Sequence, residues 1–174
     1  MNKKSLFETH PQVADQWHPD KNGDLKPNQV VAGSDKKVWW KCDKGPDHEW
    51  DAIPNSRTGM GTDCPCCAGL KVSVTNSLAS LHPELAKEWH PDKNGDLKPD
   101  QVVAGSNKKF WWKCDKGPDH EWTATAGART RRDRPQQCLC CAGFKASVTN
   151  SLASLFPDVA AQLHPTKNDG VTAD

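Results

Sequence analysis

The chain has 174 residues, a formal net charge of +1 and 35% hydrophobic residues, with eight cysteines, eight tryptophans and no tyrosine. That near-neutral balance excludes a polybasic protein that holds nucleic acid by overall charge, so any such contact must rest on local patches. No apolar run reaches the length of a membrane-spanning helix and residues 1–11 lack the apolar core of a secretory signal, so no membrane partner and an intracellular, reducing compartment are expected.

Internal repetition sets the organisation. Trp17-His18-Pro19-Asp20-Lys21-Asn22-Gly23-Asp24-Leu25-Lys26-Pro27 returns as residues 89–99. The match runs on through Trp50 and Trp122 with three differences, Asn28/Asp100, Asp35/Asn107 and Val38/Phe110. The offset is 72 residues there and becomes 74 after an insertion in the loop of residues 129–134, which pairs Cys64 with Cys138. Two complete units are therefore expected at 1–71 and 72–145, followed by an incomplete third at 146–174, which is either a fragment of a longer array or a terminal cap. A unit of roughly 70 residues with so little apolar surface is marginal without a staple, and a metal is the obvious one.

Each unit opens on a short helix. In the second, Pro83 suits a first helical turn and Glu84 its positive end, while Leu81, Leu85 and Trp89 recur every four residues and predict one apolar face. Pro91 ends the helix at His90; the counterparts are residues 11–17 and 157–163. His10 and His82 share a repeat position with Phe156, which favours packing over ligation, and His18, His90 and His164, each before a proline, read as capping or packing groups. Asn22-Gly23 and Asn94-Gly95 mark turns.

The next element is a β-hairpin with the tip Cys42-Asp43-Lys44-Gly45-Pro46-Asp47-His48, flanked by Trp39-Trp40 and Trp50 and repeated at residues 111–122. A strand period of two places Val38, Trp40 and Cys42 on one face with His48, Trp50 and Ala52, and turns Trp39 and Lys41 outward. Cys42 and His48 then join Cys64 and Cys67 of Cys64-Pro65-Cys66-Cys67 as a closed Cys3His set; Cys114, His120, Cys138 and Cys141 form the second. Such sets suit one structural Zn2+ per complete unit and leave no open coordination position for a reacting water. The competing readings are disulfides or small buried hydrophobes, while a thioredoxin-like redox motif lacks the surrounding βαβ pattern. Cys66 and Cys140, between the ligands, are left as spare thiols.

Leu85-Ala86-Lys87-Glu88-Trp89, Gly33-Ser34, Trp40-Lys41-Cys42, His48-Glu49-Trp50, Arg57 and Cys64-Pro65-Cys66-Cys67 together resemble the tandem treble-clef or zinc-ribbon repeat family, over nearly the whole chain. The likeness departs at Leu139, where the family has proline, and at the middle cysteines, where an aromatic is commoner. It implies small zinc-stapled α+β modules and a role with nucleic acid, because related modules occur attached to nuclease-like domains.

Two functions compete. Lys36, Lys37 and Lys41 surround Trp39, and Lys108, Lys109 and Lys113 surround Trp111; with Arg57 and the loop residues Arg129, Arg131, Arg132 and Arg134 they suit phosphate contact beside base stacking on DNA or RNA. Alternatively these lysines are a solvated face, Trp39 packs on the neighbouring helix, and the repeats form a protein-interaction surface or a subunit of a large assembly. No nucleophile, base or phosphate-loop constellation is recognisable, so neither catalysis nor a small-molecule substrate is expected.

Overall fold

The structure, a computed structural model, describes residues 4–174. Met1, Asn2 and Lys3, the start of the stretch read above as lacking a signal sequence, lie outside the described residues. The first unit runs α1 (Leu6–Thr9), α2 (Pro11–Ala14), β1 (Val38–Lys41), β2 (Glu49–Ala52) and α3 (Pro54–Gly59). The second repeats it as α4 (Leu78–Leu81), α5 (Pro83–Lys87), β3 (Lys109–Lys113), β4 (Glu121–Thr125) and α6 (Ala126–Arg129), and the third begins with α7 (Leu152–Leu155) and α8 (Pro157–Ala160). Among the described residues no helix is long and apolar enough to cross a membrane.

The opening helix is two single turns rather than one continuous face. A proline bars the α conformation from the residue before it, so His10, His82 and Phe156 sit near φ −140°, ψ 66° and bend the chain ahead of Pro11, Pro83 and Pro157. This corrects the apolar stripe expected from Leu81: that side chain faces solvent, whereas Leu78 is fully buried and Leu85 and Trp89 pack beside it. Ser5, Ser77 and Ser151 start the first turns by accepting the amide three residues on, a cap that such short helices depend on.

Both hairpins follow the strand-period expectation. Trp40 lies opposite Trp50 and Trp112 opposite Trp122, all four indoles buried. The Trp40 indole N–H donates to the Ala52 carbonyl at 3.0 Å, which satisfies the one polar atom a buried tryptophan carries. The outer edge of β1 is closed by the preceding segment: Lys41 N–H donates to Gln16 O, His18 N–H to Trp39 O, and Trp17 stacks edge-on against Trp40 at 5.5 Å. Unit two repeats each contact through Glu88, His90 and Trp89. The core of a unit is thus a pair of indoles sandwiched between the opening helices and the cysteine cluster.

Candidate metal centres

Cys42 and His48 extend the β1–β2 register by one more pair, closed by the Cys42 N–H to His48 O bond at 3.1 Å, so both side chains point to the buried face. The second pair comes from a tight turn in which Ala68 N–H returns to Cys64 O at 3.0 Å and Gly69 adopts φ +70°, a left-handed conformation that glycine takes without steric cost. His48 Nδ1 then lies 3.3, 3.6 and 3.4 Å from the sulfurs of Cys42, Cys64 and Cys67, and Cys42 Sγ lies 3.7 Å from Cys67 Sγ. In the second unit His120 Nδ1 is 3.3, 3.7 and 3.4 Å from Cys114, Cys138 and Cys141. These are the edges of a tetrahedron whose centre is about 2.3 Å from sulfur and about 2.0 Å from nitrogen, the dimensions of zinc. All eight cysteines are free thiols and the four ligand atoms of each cluster fall within 4.8 Å of one another, so disulfides are excluded and the two predicted Cys3His sets each fit one structural Zn2+.

Local electrostatics favour thiolates at one corner. Burial works against a charge on Cys64, but the backbone amides of Cys67 and Cys66 aim at its sulfur and hold it below the ordinary thiol value; Cys138 is treated likewise by the amides of Cys141 and Cys140. Cys66 and Cys140 are buried, burial and the adjacent thiolate push their thiols up, and neither belongs to a ligand set.

Gly45 and Gly117 are required by close approach. A Cβ on Gly45 would stand 2.5 Å from His48 Cδ2, and one on Gly117 the same from His120 Cδ2. Neither imidazole can retreat while bound to metal, so Gly45→Ala is expected to lower zinc affinity at the first centre at least tenfold and leave the second unchanged, read by chelator competition.

The candidate contact residues divide. Lys36, Lys37, Lys108 and Lys109 are exposed, as are Arg131, Arg132 and Arg134, and Trp39 and Trp111 are each 37% exposed. Lys37 pairs with Asp51 at 2.8 Å, Lys41 with Glu49 at 3.6 Å and Lys113 with Glu121 at 3.5 Å. Arg57 and Arg129, placed above with the partner-facing cations, are corrected: they are 5% and 4% exposed. Arg57 lies between the rings of Trp40 and Trp50 at 4.8 and 5.1 Å, and Arg129 between Trp112 and Trp122 at 4.9 and 5.0 Å. The facing indoles of each hairpin hold the guanidinium by cation–π attraction and withdraw it from any partner.

Sequence reasoning missed two groups, the lysines over the outer indoles and the hydroxyls behind the ligating histidine. Lys21 and Lys93 lie 4.6 Å over the rings of Trp39 and Trp111 and also pair with Glu49 and Glu121. His18, read above as a capping or packing group, is buried and caps the turn after it: its Nδ1 accepts the amides of Asp20 and Lys21, which leaves its proton on Nε2, 3.2 Å from Glu49. The hydrogen bond from Lys21, then that from His18, holds the Glu49 carboxyl down to about 2. Ser73 and Thr75 reach the first metal centre from the start of the second unit; the strict return of Ser-Val-Thr-Asn-Ser at residues 147–151 was their only sequence signal.

Residues 13–70 and 85–144 each match the family described as "Probable Treble clef zinc finger domain", together more than half of the chain. No curated protein matches it. With paired ligands from a hairpin tip and a cysteine turn, twice over, the chain belongs to that treble clef zinc finger family.

Proposed function

We propose that this is a non-catalytic zinc-stapled repeat that binds single-stranded nucleic acid, with the second unit making most of the contact. Four protein ligands close each centre, which leaves zinc a structural role. The observation that carries the reading is the face around Trp111. Asp51, which neutralises Lys37 in the first unit, is replaced by Thr123 opposite Trp111, and Lys109 has no carboxylate within ion-pair distance among the described residues. Arg131, Arg132 and Arg134, exposed and likewise without an ion-pair partner among the described residues, extend the same unit. Residues 72–145 hold twelve Lys and Arg against nine Asp and Glu, whereas residues 1–71 hold ten of each. A half-exposed indole beside free cations supplies stacking and phosphate contact together.

Tryptophan fluorescence titrated with single-stranded oligonucleotides should show binding whose log K falls with log salt by about 0.7 per phosphate contact, a slope of roughly −2 to −3 for three or four cations. Trp111→Ala should weaken it about tenfold, Trp39→Ala less, and the triple change of Arg131, Arg132 and Arg134 to Ser should flatten the salt slope. The second reading, a protein-assembly module, is favoured by the neutralisation of Lys37 and Lys41 and by exposed Leu155, Phe156 and Val159. Absence of binding at low salt would select it.

A further inference from the structure

Residues 73–77 open the second unit by sequence, yet their side chains finish the first metal centre. With Nδ1 of His48 turned to the metal, the imidazole proton sits on Nε2, which lies 2.7 Å from Thr75 Oγ1 and 3.1 Å from Ser73 Oγ. Ser73 Oγ accepts the Thr75 amide at 3.0 Å, so the two hydroxyls are themselves fixed. Asp47, on the hairpin tip, accepts the Val74 amide at 2.9 Å. Asn76 donates its side-chain amide to Cys66 O at 2.8 Å, within the cysteine turn.

The same five residues are anchored on the other side. Asn76 O accepts the Ala104 amide at 3.0 Å, Ser77 caps α4, and Leu78 N–H donates to Val102 O at 2.7 Å, all within the second unit. Asn76 therefore bonds one unit with its side chain and the next with its backbone. The pattern returns at the second centre: His120 Nε2 lies 2.7 Å from Thr149 Oγ1 and 3.1 Å from Ser147 Oγ, Asp119 accepts the Val148 amide, and Asn150 donates to Cys140 O at 2.7 Å.

We propose that Ser73, Thr75 and Asn76, with their repeats Ser147, Thr149 and Asn150, are inter-unit latches: each orients the ligating histidine of the preceding zinc centre, and zinc held there in turn fixes where the following unit begins. Thr75 and Thr149 are positioning residues, since the hydroxyl that accepts the Nε2 proton selects the Nδ1-coordinating tautomer and holds the ring on the metal. The boundaries expected at 71/72 and 145/146 then fall just ahead of residues that the preceding centre needs. The array is coupled between neighbours, each centre depending on the segment that follows it and that segment on the centre.

Partners of this kind contribute about 10–100-fold to metal affinity when removed from a ligating histidine. Zinc transfer from the full-length, zinc-loaded protein to a chromogenic chelator provides the test. Thr75→Val keeps the shape and removes the hydroxyl; it should accelerate release of one zinc equivalent at least tenfold and leave the other at the wild-type rate. Thr149→Val should accelerate the other equivalent, the double variant both, and Thr75→Ser should restore the wild-type rate. Unchanged release in Thr75→Val, or equal acceleration of both equivalents, overturns the assignment. The reverse coupling is read by amide exchange in Cys67→Ser, which removes a first-centre ligand: protection at Leu78 and Ala104 should fall while that at Cys114, bonded to His120 O, is retained. Protection kept at Leu78 and Ala104 would show that the two units dock without the metal.

Discussion

Removing zinc is expected to unfold both units, with loss of the near-ultraviolet tryptophan signal and of any cooperative melt. The reason lies in how little else holds them. Among the described residues the longest helix has six residues, far below the length at which an isolated helix is stable, and each sheet has two strands. Each buried cluster contains two of its ligand cysteines, Cys42 with Cys64 and Cys114 with Cys138, so the metal is a structural part of the core. Structural zinc contributes an apparent 10–16 kcal/mol in finger peptides near neutral pH, comparable to or above the whole stability of a small domain. Cys42→Ser should abolish the first unit and Cys114→Ser the second, each detected by loss of one zinc equivalent. A protein shown by mass spectrometry to be metal-free that still melts at the holo temperature would refute the structural role.

The pH dependence follows from the same ligands. In the metal-free cluster, burial and the Cys42 and Cys64 sulfurs push the Cys67 thiol up to about 12, and burial with the Cys141 and Cys138 sulfurs does the same to Cys114. Zinc accepts only thiolates, so binding at neutral pH must expel these protons, and affinity falls tenfold per pH unit for each proton expelled. An unfolded thiol also takes up protons below its ordinary value of 9.0, where the zinc-bound sulfur carries none. The unfolded state therefore binds more protons, and stability rises with pH and is lost on acidification. Acid should release zinc before it disturbs Glu49 or Glu121, whose carboxyls are held down to about 2 by Lys21 with His18 and by Lys93 with His90.

The ligands were legible in the sequence because each pair is set locally, Cys42 and His48 by one turn and Cys64 and Cys67 by another, and because the whole set occurs twice. Period two located the buried indoles for the same reason. The apolar stripe through Leu81 failed because a four-residue recurrence was carried across Pro83, whose effect on His82 outweighs periodicity. Arg57 and Arg129 misled because an arginine is exposed by default, and only the hairpin register shows that two indoles leave a slot for it. Thr75 was invisible because its partner, His48, is distant in sequence and belongs to the preceding unit.

Those two arginines are expected to give the largest losses of any residue outside the ligand sets. Arg57 Nε donates to Thr62 O at 2.8 Å and Nη2 to Gln16 Oε1 at 3.0 Å, so truncation removes two part-buried charged hydrogen bonds and empties the space between two rings. Burial pulls the Arg57 guanidinium below its usual range, and Asp63 with the Cys64 and Cys42 thiolates opposes that pull. Three thiolates and one divalent zinc leave each centre with a single net negative charge, which the guanidinium offsets. Lost cation–π contacts and charged hydrogen bonds make Arg57→Met cost about 3 kcal/mol, a fall of roughly 12–24 °C in Tm for a unit of this size. Lysine should not rescue it, because an ammonium cannot fill a planar slot between two indoles and reach two acceptors. Arg129→Met should be worse, since it also leaves the Glu88 carboxylate without its partner, whereas the neutral Gln16 occupies that place in the first unit. By the same logic Glu88→Gln alone should cost under 1 kcal/mol, and in the Arg129→Met background it should recover part of the loss. Unchanged melting in both arginine variants together with weaker oligonucleotide binding would return these side chains to the surface.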